Sequence, residues 1–252
     1  MSLLHSEWTK LRSLRTTWIL ALSAVGSGVA LSLLGVSDML GSAPADLPAD
    51  WDPTAESLKG FLFAQLLIGM LGALVFTSEF DTGTIAPSLS IAPSRGRLLA
   101  AKTGVVLAIA FVTSLVTTAF SFAAVQLTLQ GAGLPSALAD GSNVLVALAG
   151  AIGYLTLVCL LGVAVGGILK SATGSLGALV GITLLVPAIA PGLPGAIGEA
   201  FARYWPINAG QAAYATLPSA EAVAPGLGLG ILAACAALAL GACHLLFRAR
   251  DI

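Results

Sequence analysis

The sequence predicts an all-α integral membrane protein with six membrane-spanning helices, and three observations carry that prediction. Of its 252 residues, 57% are hydrophobic and only 9% are charged, far below the roughly 25% charged content of soluble domains. The apolar residues gather into six stretches long enough to cross a hydrocarbon core of about 30 Å, which takes roughly 20 residues of helix. The basic residues fall almost entirely on one side of the resulting topology. Helices are required because lipid offers an exposed backbone group no hydrogen-bond partner.

Ahead of the first stretch, Leu4, Trp8, Leu11 and Trp18 recur at helical spacing, while Ser6, Lys10, Ser13 and Thr17 fall largely on another side. This pattern predicts an amphipathic helix lying on the inner membrane surface. A plain basic flank is the simpler alternative, and both keep the segment cytoplasmic. Span one follows over about 17–36 and span two over 60–77, ended by Ser78, Glu79 and Asp81. Span three covers about 103–129, and span four 143–169, stopped by Lys170. Span five, 174–190, is closed by Pro191 and Gly192; span six runs over 226–247 to Arg248. A cleaved signal peptide fits the N-terminus poorly, because the apolar run of about 19 residues exceeds the usual 7 to 15. The chain reads as a single membrane domain over 1–252, without an internal repeat or a second, soluble domain.

With the N-terminus inside, Lys10, Arg12, Arg15, Arg95, Arg97, Lys102, Lys170, Arg248 and Arg250 are cytoplasmic, and only Lys59 and Arg203 are outside. That obeys the positive-inside rule and puts both chain ends in the cytoplasm. The outer loop 37–58 is acidic, and Asp52 followed by Pro53 suits an N-cap and a first helical position. The connection 191–225 is mildly apolar, which predicts short helices dipping into the outer leaflet with Tyr204 and Trp205 at the interface. Gly162 and Gly166, Gly177 and Gly181, and Gly226 and Gly230 form small-xxx-small pairs, each a place where helices could approach closely.

Reactive chemistry is absent from the sequence. All 23 charged residues, 11 basic and 12 acidic, lie at span ends or in loops, so no buried carboxylate marks a proton or sodium route. Lys102-Thr103 and Lys170-Ser171 lack the preceding glycine of a phosphate-binding loop. No HExxH or GxSxG motif occurs. His5 and His244 sit at opposite ends of the chain, and Cys159, Cys235 and Cys243 lie within spans as small apolar groups. No basic stripe with interleaved aromatics suggests nucleic acid. The chain is therefore expected to be no enzyme and to hold no metal or cofactor of its own. The spans do carry uncharged polar residues: Gln65 in the second, then Thr113, Thr117 and Ser121 spaced by four on one face of the third. They read either as interhelical hydrogen-bonding groups or as a stripe facing a substrate path.

The most informative segment joins spans two and three. Ser78-Glu79-Phe80-Asp81-Thr82-Gly83-Thr84-Ile85, followed by Ile91-Ala92-Pro93-Ser94-Arg95-Gly96-Arg97 and by Lys102, resembles the loop of ABC type-2 exporter permeases. Those carry an acid ending the second helix, then Gly-Thr, Pro-x-Arg and a lysine opening the third. Ser6-Glu7-Trp8-Thr9-Lys10-Leu11-Arg12-Ser13 is similar to the start of actinobacterial members. One departure is that Ala86 and Pro87 stand where many relatives have a basic residue after Gly-Thr-Ile. The resemblance implies a coupling helix in this loop, with Glu79, Asp81, Gly83, Thr84, Pro93, Arg95, Arg97 and Lys102 forming the contact to a separate cytoplasmic ABC ATPase that binds ATP and Mg. It also implies a second permease chain, identical or different, in a bacterial plasma membrane, and outward movement of a hydrophobic or amphipathic drug, antibiotic, lipid or peptide. A non-transporting scaffold or passive channel is the rival class. It would have no ATPase partner.

Overall fold

A computed structural model describes residues 3–41, 43–48, 51–81, 83, 95–137, 141–216 and 223–249. All regular elements among them are helical: α1 Leu3–Ser13, α2 Arg15–Ser37, α3 Pro53–Ser57, α4 Phe61–Asp81, α5 Arg95–Gly131 and α6 Gly141–Leu169. There follow α7 Ala172–Val180, a π-helical segment Gly181–Leu185, α8 Val186–Ile189, α9 Gly195–Tyr204, α10 Pro206–Gln211 and α11 Pro225–Ala249. Six helical stretches are long and apolar enough to cross a membrane, namely α2, α4, α5, α6, the stretch Ala172–Gly192 and α11. Each predicted span has its counterpart. The main difference lies between spans two and three. α4 continues past Thr77 to Asp81, and α5 starts at Arg95, two turns before the expected boundary. With 37 residues, α5 is about 55 Å long and projects beyond a core of about 30 Å.

α4 is the centre of the bundle. Of its apolar stretch 67% is buried inside the chain, against 17% for span five and for span six. Its most extensive neighbour is α6, and glycine makes that possible. A Cβ on Gly162 would stand 1.9 Å from the Gly69 carbonyl oxygen, one on Gly72 2.1 Å from that of Cys159, and one on Gly166 2.5 Å from that of Ala73. In lipid there is no hydrophobic force to drive helices together, so such close backbone approach and the dispersion contact it allows hold the pair. The other two small-residue pairs differ: a Cβ added at Gly177, Gly181, Gly226 or Gly230 would meet nothing within 4 Å. Spacing identified a seam only for Gly162 and Gly166.

The two ends of the bundle are chemically distinct. At one, here called the basic end, Lys170 places its Nζ 4.9 Å from the centre of the Phe80 ring, and the start of α5 meets α11 where Gly96 faces His244. At the other, Asp52 caps α3 by accepting from the backbone N–H groups of Thr54 (2.9 Å) and Ala55 (3.1 Å), with Pro53 at the first helical position. Its second oxygen accepts from the N–H of Thr216 at 2.8 Å, tying the two connections of that end together. Gln126 completes the fastening: its amide donates to the Pro53 carbonyl and the Ser57 hydroxyl, both at 2.9 Å, and its carbonyl accepts from Ala137 N–H at 2.8 Å. Burial alone would raise the Asp52 carboxyl, but hydrogen bonds from Thr216, Ala55 and Thr54 together outweigh it and hold the group below the usual carboxylate range.

Replacing Gly162 by Ala should force α4 and α6 apart at a cost of about 1–3 kcal/mol. Thermal unfolding of the purified chain in detergent should show a fall of several degrees, while Gly177→Ala should show none. Asp52→Ala should cost about 1 kcal/mol at pH 7 through the lost cap. Because the folded carboxyl titrates below its unfolded value of about 3.9, its contribution is complete above that pH and fades as pH falls through the lower folded value. The stability gap between variant and parent should therefore be constant from about pH 5 to 8 and narrow below about pH 4.

Candidate functional site

Two glutamates and two lysines meet at the basic end. On α1, Glu7 and Lys10 are three residues apart, which puts them on one face of the helix. Glu79 lies in the last turn of α4 and Lys102 two turns into α5. The Lys102 ammonium donates to Glu7 Oε2 at 3.0 Å and to Glu79 Oε1, which also accepts from Lys10. The four charges form a chain of alternating sign, Glu7–Lys102–Glu79–Lys10, whose formal sum is zero. Glu79 and Lys102 are each only 1% exposed, and Glu7 is buried with them, whereas the Lys10 side chain is 36% exposed.

The sequence reading, with every charge at a span end or in a loop, expects no buried carboxylate, and the structure corrects that: Glu79 and Glu7 are both buried. Stripping hydration from a carboxylate or an ammonium costs several kcal/mol, so Glu79 and Lys102 can sit between helices only as partners. Their pairing explains why α4 runs on past Thr77. α1 lies against the same cluster. Leu11 is buried against the bundle, but Leu4, Trp8 and Trp18 are exposed, and the inward face carries Glu7. The turn into α2 is fastened by the Trp18 indole, which donates to the Arg12 carbonyl at 2.8 Å.

Three of the other residues singled out at this connection lie at the surface. Asp81 and Arg97 are exposed, and Gly83 is exposed with a φ of +68°, a left-handed turn that suits glycine as the chain leaves α4. Arg95 opens α5. Thr84, Pro93 and the expected coupling helix fall outside the described residues.

Gln65, Thr113, Thr117 and Ser121, the uncharged polar residues singled out in the spans, are all buried. Thr113 and Thr117 donate to the carbonyls four residues earlier, Ile109 at 2.9 Å and Thr113 at 2.8 Å. Thr117 and Ser121 border Gly28 of α2, in a seam that Ala64 of α4 also reaches. Gln65 works across helices. Its amide donates to Leu62 O (3.1 Å) and Thr183 O (3.3 Å), and its carbonyl accepts from the Tyr154 hydroxyl. Gln211 donates to that hydroxyl at 3.4 Å. Among the described residues no three His, Cys, Asp or Glu side chains are grouped to hold a metal ion.

Sequence reasoning reaches Glu79 and Lys102 but misses Glu7 and Lys10. The available signal is an acid and a base three apart on a helix, in a chain where charge is scarce.

A family profile described as ABC-2 family transporter protein matches residues 3–186, from the start of α1 to the first residue of α8. No curated protein and no solved structure matches at a significant level. All four cluster residues lie within the matched range.

Lys102→Met should leave Glu7 and Glu79 short of a partner and destabilise the chain by about 3–5 kcal/mol. Removing both members of the central pair, as Glu79→Gln with Lys102→Met, should cost less than the sum of the single changes. Lys10→Ala, at the open end, should cost about 1 kcal/mol or less. A double-mutant cycle on thermal midpoints checks all three.

Proposed function

Since the chain belongs to the ABC-2 transporter family and is a membrane-spanning permease of an ABC transporter, we propose that it exports a hydrophobic or amphipathic compound using ATP hydrolysed in a separate cytoplasmic subunit. The basic end faces the cytoplasm, in keeping with the positive-inside rule, and the host membrane is a bacterial plasma membrane. Two permease chains and two ATPases make the working unit, with ATP and Mg held by the ATPases.

The observation that supports this reading best is the ion cluster. It clamps together the two helical stems, α4 and α5, from which the connection 82–94 departs, and it adds α1 as a third strut. A push delivered to that connection by a partner is therefore delivered to three elements at once. Asp81, Gly83, Thr84, Pro93, Arg95 and Arg97 form the contact itself, and Glu79 and Lys102 act behind it as its footing. Gln65, Thr113, Thr117 and Ser121 are the polar groups a substrate path would use; reaching Thr117 and Ser121 requires α2 to part from α5, and reaching Gln65 requires α4 to part from α6 and span five. The uncharged spans suit cargo that carries little charge of its own into the membrane.

Purified alone, the chain should hydrolyse no ATP. Isolated from its native membrane it should bring down a stoichiometric P-loop ATPase, identified by mass spectrometry. Replacing residues 84–94 by a Gly/Ser linker, which leaves the ion cluster intact, should abolish that association without lowering thermal stability. Retention of the ATPase by the linker variant would sink the coupling assignment. Ion conduction by the chain alone, without nucleotide, would favour a channel.

A further inference from the structure

Span five breaks its own hydrogen-bond pattern, and two side chains from elsewhere repair it. Residue 187, just over one turn past its middle, is proline, which has no N–H and whose ring crowds the carbonyl four residues back. The helix responds with the π-helical segment Gly181–Leu185, where Val186 N–H reaches back five residues to Gly181 O. In α register the missing N–H of Pro187 would have served Thr183 O; in π register it would have served Ile182 O. Those two carbonyls accept side-chain hydrogen bonds from other elements. The Trp205 indole donates to Ile182 O at 2.8 Å, and the Gln65 amide donates to Thr183 O at 3.3 Å. Inside a bilayer an unpaired backbone group costs several kcal/mol, and neighbouring side chains are the usual remedy where proline frees one.

The hydrogen bond also gives Trp205 a role that the sequence does not show. The sequence puts it with Tyr204 at the membrane interface. Tyr204 is exposed, but Trp205 stands at the junction of α9 and α10, stacks on Phe201 with ring centres 5.5 Å apart, and turns its N–H inward. Gln65 is likewise saturated, with its amide and its carbonyl both engaged.

We propose that Gln65 and Trp205 are positioning residues that replace the hydrogen-bond donor withheld by Pro187. Together they hold the π segment of span five as a hinge between span two and the connection that precedes span six. Gln65 lies 14 residues from Glu79 on the same helix, about 21 Å along its axis. Displacement of the ion cluster at one end of α4 thus pulls on the hinge near the other, and the hinge passes it to the α9–α10 segment through Trp205. The geometric part of the proposal stands on the hydrogen bonds alone. Its role in the transport cycle rests on the permease reading above.

The test is a pair of double-mutant cycles in the full chain, pairing Pro187→Ala with Gln65→Leu and with Trp205→Phe. In the parent, Gln65→Leu and Trp205→Phe should each lower the thermal midpoint by roughly 2–8 °C. In the Pro187→Ala background the segment can return to α register, with Val186 N–H serving Ile182 O and the new N–H of residue 187 serving Thr183 O, and each loss should shrink to less than half. A merely structural packing role would leave the losses unchanged, so additivity in both cycles overturns the proposal. The second measurement is ATP turnover by the complex of the chain with its ATPase in lipid nanodiscs. Pro187→Ala, which makes span five continuous, should reduce turnover at least about fivefold while its thermal midpoint holds or rises. Unchanged turnover would overturn the hinge. Failure of any ATPase to associate would instead strike the permease reading and leave the stability cycles to decide the rest.

Discussion

The arrangement of this bundle depends on the backbone-to-backbone approach of α4 and α6 across Gly69, Gly72, Gly162 and Gly166. A membrane removes the force that gathers helices in water, because a leucine is as comfortable against lipid as against another leucine. What remains is close contact, and contact at this range needs the absence of a Cβ on at least one side. With α6 drawn tight against it, α4 has more of its apolar stretch covered by the chain itself than any other of the six described spans. Each of its two ends consequently encloses a polar side chain within protein. Glu79 is enclosed at one end and Gln65 near the other.

Both enclosures obey the same rule by different chemistry. Glu79 carries charge and would be expelled from a low-dielectric site without counter-charge, so α1 and α5 contribute two lysines and a second glutamate until the sum is zero. Gln65 is neutral, and the need is geometric: its amide and its carbonyl must each find partners, and Leu62, Thr183 and Tyr154 supply them. The scarcity of charge in this chain makes such sites conspicuous. In a soluble domain an acid at a helix end would be hydrated. Here its burial requires partners from sequence positions 69 and 23 residues away.

Those separations mark how much of the protein is legible in its sequence. The six spans are, because hydropathy is a local property and twenty or so apolar residues in a row have few other uses. The cap on α3 is too, since Asp52 and Pro53 act on the residues next to them. Legibility ends where the deciding partner is distant. Glu79 reads as a stop because charge usually ends an apolar run, and only Lys10 and Lys102 allow the helix to continue. The habit of aromatic residues assigns Trp205 to the interface and does not show that the carbonyl accepting its N–H lies 23 residues upstream. Glycine spacing finds the seam at Gly162 and Gly166 and says nothing to separate it from the pairs that face open space. The shared face of Thr113, Thr117 and Ser121 follows from their spacing, but spacing does not say that two of the hydroxyls turn back on their own helix.

A neutral cluster behaves differently from a single ion pair. In a pair, moving one helix away strands both charges, so the two elements separate at a high cost or move as one. In the chain Glu7–Lys102–Glu79–Lys10, the outer members have one partner each, while Lys102 has two glutamates and Glu79 has two lysines. The central contact is therefore the one that persists when either end is released, because each of its members keeps an opposite charge. α4 and α5 are held as a unit, and α1 can let go more easily, most readily through the half-open Lys10. If a partner bears on the connection between α4 and α5, this order of release makes α1 the element that yields first. The stems below it continue to act on span two, and through Gln65 on span five.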